Sequence, residues 1–191
     1  MYMGPYRDDA AAHNVIPAAS FPIIIMLCYI LYPDTSMIAL IVSFPFFLLM
    51  VGLLAFTKIK KWQYYVGWRL GVLAVLLDIS MVFMTFIISR LYDNAIASIL
   101  LLFFLVVTIF LGHRFANRIR IEMQSPSTWI GKMIVALGLL GSGVGSLIGY
   151  WSANLFGFQI VMPILYFTLL IVIAIVHAYF HSVAFKGETD W

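Results

Sequence analysis

Asp78 is the residue whose chemistry stands out first. It lies in an apolar run from 67 to 88, about nine residues beyond Arg69. On a helix rising 1.5 Å per residue, that places it roughly 13 Å into a membrane, near the midplane. An ionised carboxylate there costs a few kcal/mol unless it is paired, hydrated or protonated. Asp78 is therefore a candidate site for a proton, a cation or a polar substrate. A hydrogen-bonded Asp that ties two helices together would satisfy the same sequence.

His177 and His181 stand four residues apart in His-Ala-Tyr-Phe-His, so they share one helix face. Such a pair can ligate a metal or a haem-like group, and His113 is the histidine to recruit as a further ligand. Neither a cysteine nor an HExxH pattern accompanies them. The pair fits equally well as the polar, membrane-interface end of a helix, and the sequence names no cofactor.

Other groupings point to packing and partners. Gly138, Gly141, Ser142, Gly145, Ser146 and Gly149 form a small-residue stripe, in which Gly141, Gly145 and Gly149 repeat every fourth residue. That pattern lets backbones approach closely, and the same smooth surface would suit a pore lining. Pro45 and Pro163 each free a carbonyl four residues earlier and predict bends. Arg114, Arg118 and Arg120 lie in a polar stretch from 113 to 122, where they could meet a cytoplasmic partner or anionic lipid headgroups. They also serve simply as loop charges that set orientation.

The elements that must hold these residues are membrane helices. The chain has 191 residues, of which 64% are hydrophobic and only 10% charged, where a soluble domain carries about 25%. The mean hydropathy is +1.05. Lipid is the solvent such a surface requires, and helices satisfy every backbone group internally there. The fold expected is an all-α integral membrane protein, a bundle of about six transmembrane helices. The spans fall at about 16–32, 37–56, 67–88, 95–111, 129–151 and 158–180, so the transmembrane domain is 16–181 with tails at 1–15 and 182–191. The first run is the weakest, being short and punctuated by Pro17, Pro22 and Pro33. Thr35 or Ser36 offers a cap for the second helix. The fourth helix is expected to continue into water, with Arg118 and Glu122 spaced as an i,i+4 pair.

Loop charges give the orientation. Lys58, Lys60, Lys61, Arg69, Arg114, Arg118, Arg120 and Lys132 flank the second and fourth connections, whereas Arg90 is the cation of the first, third and fifth. By the positive-inside rule both termini are cytoplasmic and the cell (inner) membrane is the expected location. The N-terminus lacks the features of a cleavable signal peptide, since Asp8 and Asp9 follow Arg7.

Several function classes drop out. Nothing resembles a Walker A loop, a GxSxG elbow or a potassium-channel filter. The pI near 9.0 reflects loop cations rather than a nucleic-acid surface. What remains is a transport protein or the membrane subunit of a transporter, with Asp78 as its site. The alternatives are a structural or assembly subunit of a larger membrane complex, and a metal or cofactor protein built on His113, His177 and His181. The expected partners are membrane lipids and other membrane subunits or further copies of the chain. In size and span number the chain resembles the substrate-binding membrane subunits of vitamin importers, an outline that many families share.

Overall fold

The computed structural model describes residues 6, 15, 17–129, 131–132 and 144–186, with no side-chain detail at 144–156 and 158. Among these the protein is all-α and contains no sheet; an isolated bridge joins Tyr6 to Tyr65. A 3₁₀ turn, Pro17–Ala19, leads into α1 (Ser20–Leu31), followed by α2 (Met37–Ile59) and a second 3₁₀ turn, Trp62–Tyr64. Then come α3 (Val66–Tyr92), α4 (Ala95–Arg114), α5 (Ala116–Gln124) and α6 (Val144–Lys186).

Four helical stretches are long and apolar enough to cross a membrane: α2, α3, α4 and Gln159–Phe185 of α6. The chain is thus a multi-pass integral membrane protein. The first apolar run forms a shorter helix, Pro17–Leu31. At 1.5 Å per residue it reaches only about 22 Å, less than the roughly 30 Å of a hydrocarbon core. Residues 130 and 133–143 of the expected fifth span lie outside the described residues; those from 144 onward are helical.

Local chemistry sets the ends. Ser36 Oγ accepts from Ala39 N at 3.2 Å and caps α2. Asn94 Oδ1 accepts from Ile96 N and Ala97 N and caps α4, directly after Asp93 closes α3 in the left-handed region with φ 47°. Pro45 sits inside α2 and Pro163 inside α6, but the non-helical residue of α6 is Gly157, with φ 74° and ψ 168°. Only glycine takes that conformation cheaply. The break therefore falls in the expected connection between the fifth and sixth spans.

The fourth helix departs from expectation. It ends at Arg114, and Phe115 (φ −105°, ψ 22°) bends the chain before α5 begins. Glu122 does not pair with Arg118. Its carboxylate accepts from Ser127 N and Oγ at 3.1 and 2.6 Å, and from Thr128 N and Oγ1 at 3.1 and 3.0 Å. Among the described residues these donors, at a helix start, have no other acceptor, so they outcompete an exposed guanidinium.

Helix α3 is the centre of the bundle. Of its apolar window 61% is buried, against 17% in α2 and 11% in α4, whose remaining faces are left for lipid or other helices. Polar side chains tie the helices around it. Tyr166 Oη donates to Leu101 O at 2.6 Å, joining α6 to α4. Trp68 Nε1 donates to Thr57 Oγ1 at 2.9 Å, joining α3 to α2.

Candidate functional site

The structure brings Asp78 and the three singled-out histidines into one chain of contacts. Asp78 Oδ1 lies 3.2 Å from His177 Nε2. His177 Nδ1 lies 3.1 Å from His113 Nε2, and His113 Nδ1 lies 3.2 Å from His181 Nδ1. Four titratable groups from α3, α4 and α6 thus stand in line, each within hydrogen-bond reach of the next. His177 is 8% exposed at its side chain and Asp78 28%.

Helix register explains the meeting. Asp78 is the thirteenth residue of α3, about 18 Å from its Val66 end. His113 stands one residue before the end of α4, which returns toward that same end. His177 and His181 lie nine and five residues before the end of α6. The chain therefore descends from the middle of α3 toward the end of the bundle that carries the Lys58–Lys61 loop.

Two glycines make the contacts close. A Cβ on Gly112 would meet Ala174 O at 2.8 Å and His177 Cβ at 3.1 Å, so the missing side chain lets α4 press against the backbone of α6 beside His113. A Cβ on Gly71 would meet Phe180 Cε2 at 3.1 Å. On the other side His181 stacks on Phe185 with ring centroids 5.2 Å apart. Beside Asp78 a cavity of about 230 Å³ opens between α3, α2 and α6, lined mainly by Leu53, Trp68, Val75 and Phe180.

The arrangement suits proton movement better than metal binding. Imidazoles can donate from one nitrogen while accepting at the other. Here the rings meet in sequence and not around a common centre. Among the described residues no group of three or more His, Cys, Asp or Glu is placed to hold a metal ion.

The remaining candidates are scattered. Gly138 and Gly141 lie outside the described residues, and Gly145 and Gly149 are helical, in a segment described by its backbone alone. Arg114 and Arg118 are exposed, whereas Arg120 is half-buried, so the three do not make one basic face. Arg118 borders a second cavity, of about 260 Å³, with Phe115, Ile119, Met123 and Ile175. Sequence reasoning found Asp78 and the histidines but kept them apart, and it missed Gly112, Gly71 and Trp68. Compared with protein-family models, curated proteins and solved structures, the chain finds no match in any of the three.

Proposed function

We propose that this chain is a proton-coupled membrane transport protein, or the proton-carrying membrane subunit of a transporter. The observation behind this reading is the unbroken line Asp78–His177–His113–His181. Its donors and acceptors can be assigned in one direction. With Asp78 ionised, His177 donates from Nε2 and accepts at Nδ1 from His113 Nε2–H. His113 in turn accepts at Nδ1 from His181 Nδ1–H, and among the described residues His181 Nε2 has no hydrogen-bond partner and can take a proton.

A proton arriving at His181 Nε2 releases the Nδ1 proton to His113. His113 passes its Nε2 proton to His177, and His177 passes its Nε2 proton to Asp78. One proton has then moved to mid-membrane, only N–H and O–H bonds have exchanged, and each ring ends in its other tautomer. The same steps backward return it. Six spans with both termini cytoplasmic, as the loop charges suggest, would put His181 toward the cytoplasm and Asp78 at mid-depth.

Proteoliposomes holding a pH-sensitive dye, with the potential clamped by valinomycin and potassium, test this. Protein-containing vesicles should take up protons faster than empty ones, and His113→Gln, which keeps a hydrogen bond but cannot relay, should lose that excess. Wild-type flux no greater than that of empty vesicles would sink the reading.

A further inference from the structure

The cavity beside Asp78 has a chemistry of its own. Its wall is apolar and aromatic, with Leu53 from α2, Val72 and Val75 from α3, and Phe180 from α6 around Trp68. Trp68 has its indole N–H committed to Thr57 Oγ1 at 2.9 Å, so what it offers the cavity is its ring. That ring is held in place by Trp62, 4.6 Å away centroid to centroid. Phe180 is seated against Gly71, where a Cβ would stand 3.1 Å from the ring edge and the ring would have to give way by a few tenths of an ångström. Among the described residues Asp78 Oδ1 is engaged by His177, while Oδ2 takes no hydrogen bond.

We infer that this cavity is a binding site for an organic monocation of about one ring, held by Asp78 and the rings of Trp68 and Phe180. A carboxylate with a neutral imidazole donating to it carries one negative charge, and aromatic faces attract a desolvated cation without supplying a polar atom. A hard metal cation would need several oxygen ligands, and among the described lining residues only Asp78 offers side-chain oxygens. An organic cation brings its own apolar body to the apolar wall. Size agrees: a cavity of about 150 Å³ holds benzene, and this one measures about 230 Å³.

The inference rests on the proton-relay reading only for the step after binding: a proton delivered to Asp78 cancels the charge that holds the cation, so the two exchange. Among the described residues the titratable groups facing Asp78 are His177 from α6 and, one ring behind it, His113 from α4, while α2 presents Leu53.

Phenyltrimethylammonium is the probe, because it cannot titrate, and N,N-dimethylaniline above pH 7 is its near-isosteric neutral counterpart. Equilibrium dialysis against the protein in nanodiscs, corrected with empty nanodiscs, gives both affinities. The cation should bind at least about tenfold more tightly than the neutral compound, as expected for a desolvated cation on aromatic rings. Asp78→Asn should weaken the cation by at least that factor and leave the neutral compound unchanged. Val75→Phe should exclude both by filling the cavity. Equal affinities for the two probes, or a cation bound normally by Asp78→Asn, would overturn the inference. In the proteoliposomes, outward-directed phenyltrimethylammonium should accelerate proton uptake. Binding without proton flux would defeat the relay and keep the site; flux without binding would defeat the site and keep the relay.

Discussion

Arg90 and Asp78 are both charged residues of α3, and the bundle treats them in opposite ways. Arg90, near the Tyr92 end, donates to Tyr29 O and, at 2.7 Å, to Asp34 O, and its guanidinium lies 5.5 Å over the Tyr29 ring. It clasps α1 and the turn after it to α3. A guanidinium keeps its proton, and backbone carbonyls only accept, so every role in that cluster is fixed. At mid-helix, Asp78 meets His177, and beyond it come two more rings whose donor and acceptor roles can interchange. The first arrangement can only hold; the second can also move a proton. What separates them is the chemistry of the partners, not the presence of charge.

Breaking the two ends separately tests that contrast, and the largest effect belongs to the relay. Asp78→Asn keeps shape and hydrogen bonding but removes titration. Proton flux should drop at least about tenfold, toward the lower range of general acid–base contributions, with thermal stability unchanged. If Asp78→Asn conducts normally at every pH while Asp78→Leu unfolds, the network is a helix tie like Arg90. Arg90→Met should do the reverse. Losing charged hydrogen bonds to two carbonyls should cost about 2–3 kcal/mol, seen as an earlier thermal transition in detergent, with flux per folded molecule unchanged.

A smaller effect, on geometry, is expected at Gly112. Its Cβ would press on Ala174 O at 2.8 Å, a backbone atom that cannot swing aside. Gly112→Ala should therefore separate α4 from α6 and lengthen the His113–His177 contact. Overpacking of this kind costs about 1–3 kcal/mol, and flux should fall with it. Gly52 in α2 is the control, because a Cβ there meets nothing within 4 Å. Gly52→Ala should be neutral or stabilise by about 0.5–1 kcal/mol through helix propensity. Equal behaviour of the two alanine variants would mean that close approach at Gly112 does not position the relay.

Much of the scaffold was legible because hydropathy and capping act locally. The long apolar runs of α2, α3 and α4 and the Ser36 cap all stem from neighbouring residues. The bend at Phe115 did not, because no Pro or Gly between 113 and 122 marks it and the competitor for Glu122 lies five and six residues further on. The site was legible in its members and not in its assembly. Asp78 and His177 are 99 residues apart, and no local pattern couples them. Counting helix rise from the basic ends puts Asp78, nine residues from Arg69, and His177, nine from Lys186, at similar depths, but depth says nothing about which helices touch. That depended on absences of side chain, at Gly112 and Gly71, which a hydropathy scan passes over.

Glu122 supplies the smallest effect and sharpens the contrast from outside the apolar core. Its hydrogen bonds from Ser127 and Thr128, the Ser127 hydroxyl foremost, hold its carboxyl well below the ordinary value of 4.5, at about 2. A carboxylate with four donors is locked in its ionised state, as Arg90 is locked in its own, and it titrates too far below neutrality to carry protons. A folded value below the unfolded one stabilises the fold above about pH 4.5, and that contribution disappears as pH falls toward 2. Glu122→Gln removes it at every pH. The melting temperature of the variant should then lie slightly below wild type by a constant margin from pH 8 to about 5, and the margin should close as pH falls from about 4.5 toward 2. Proton flux should be unaffected, because Glu122 is not in the line from Asp78 to His181. A margin that widens in acid would show that the protonated form of Glu122 is the one the fold prefers, and would contradict the hydrogen-bond arrangement at Ser127 and Thr128.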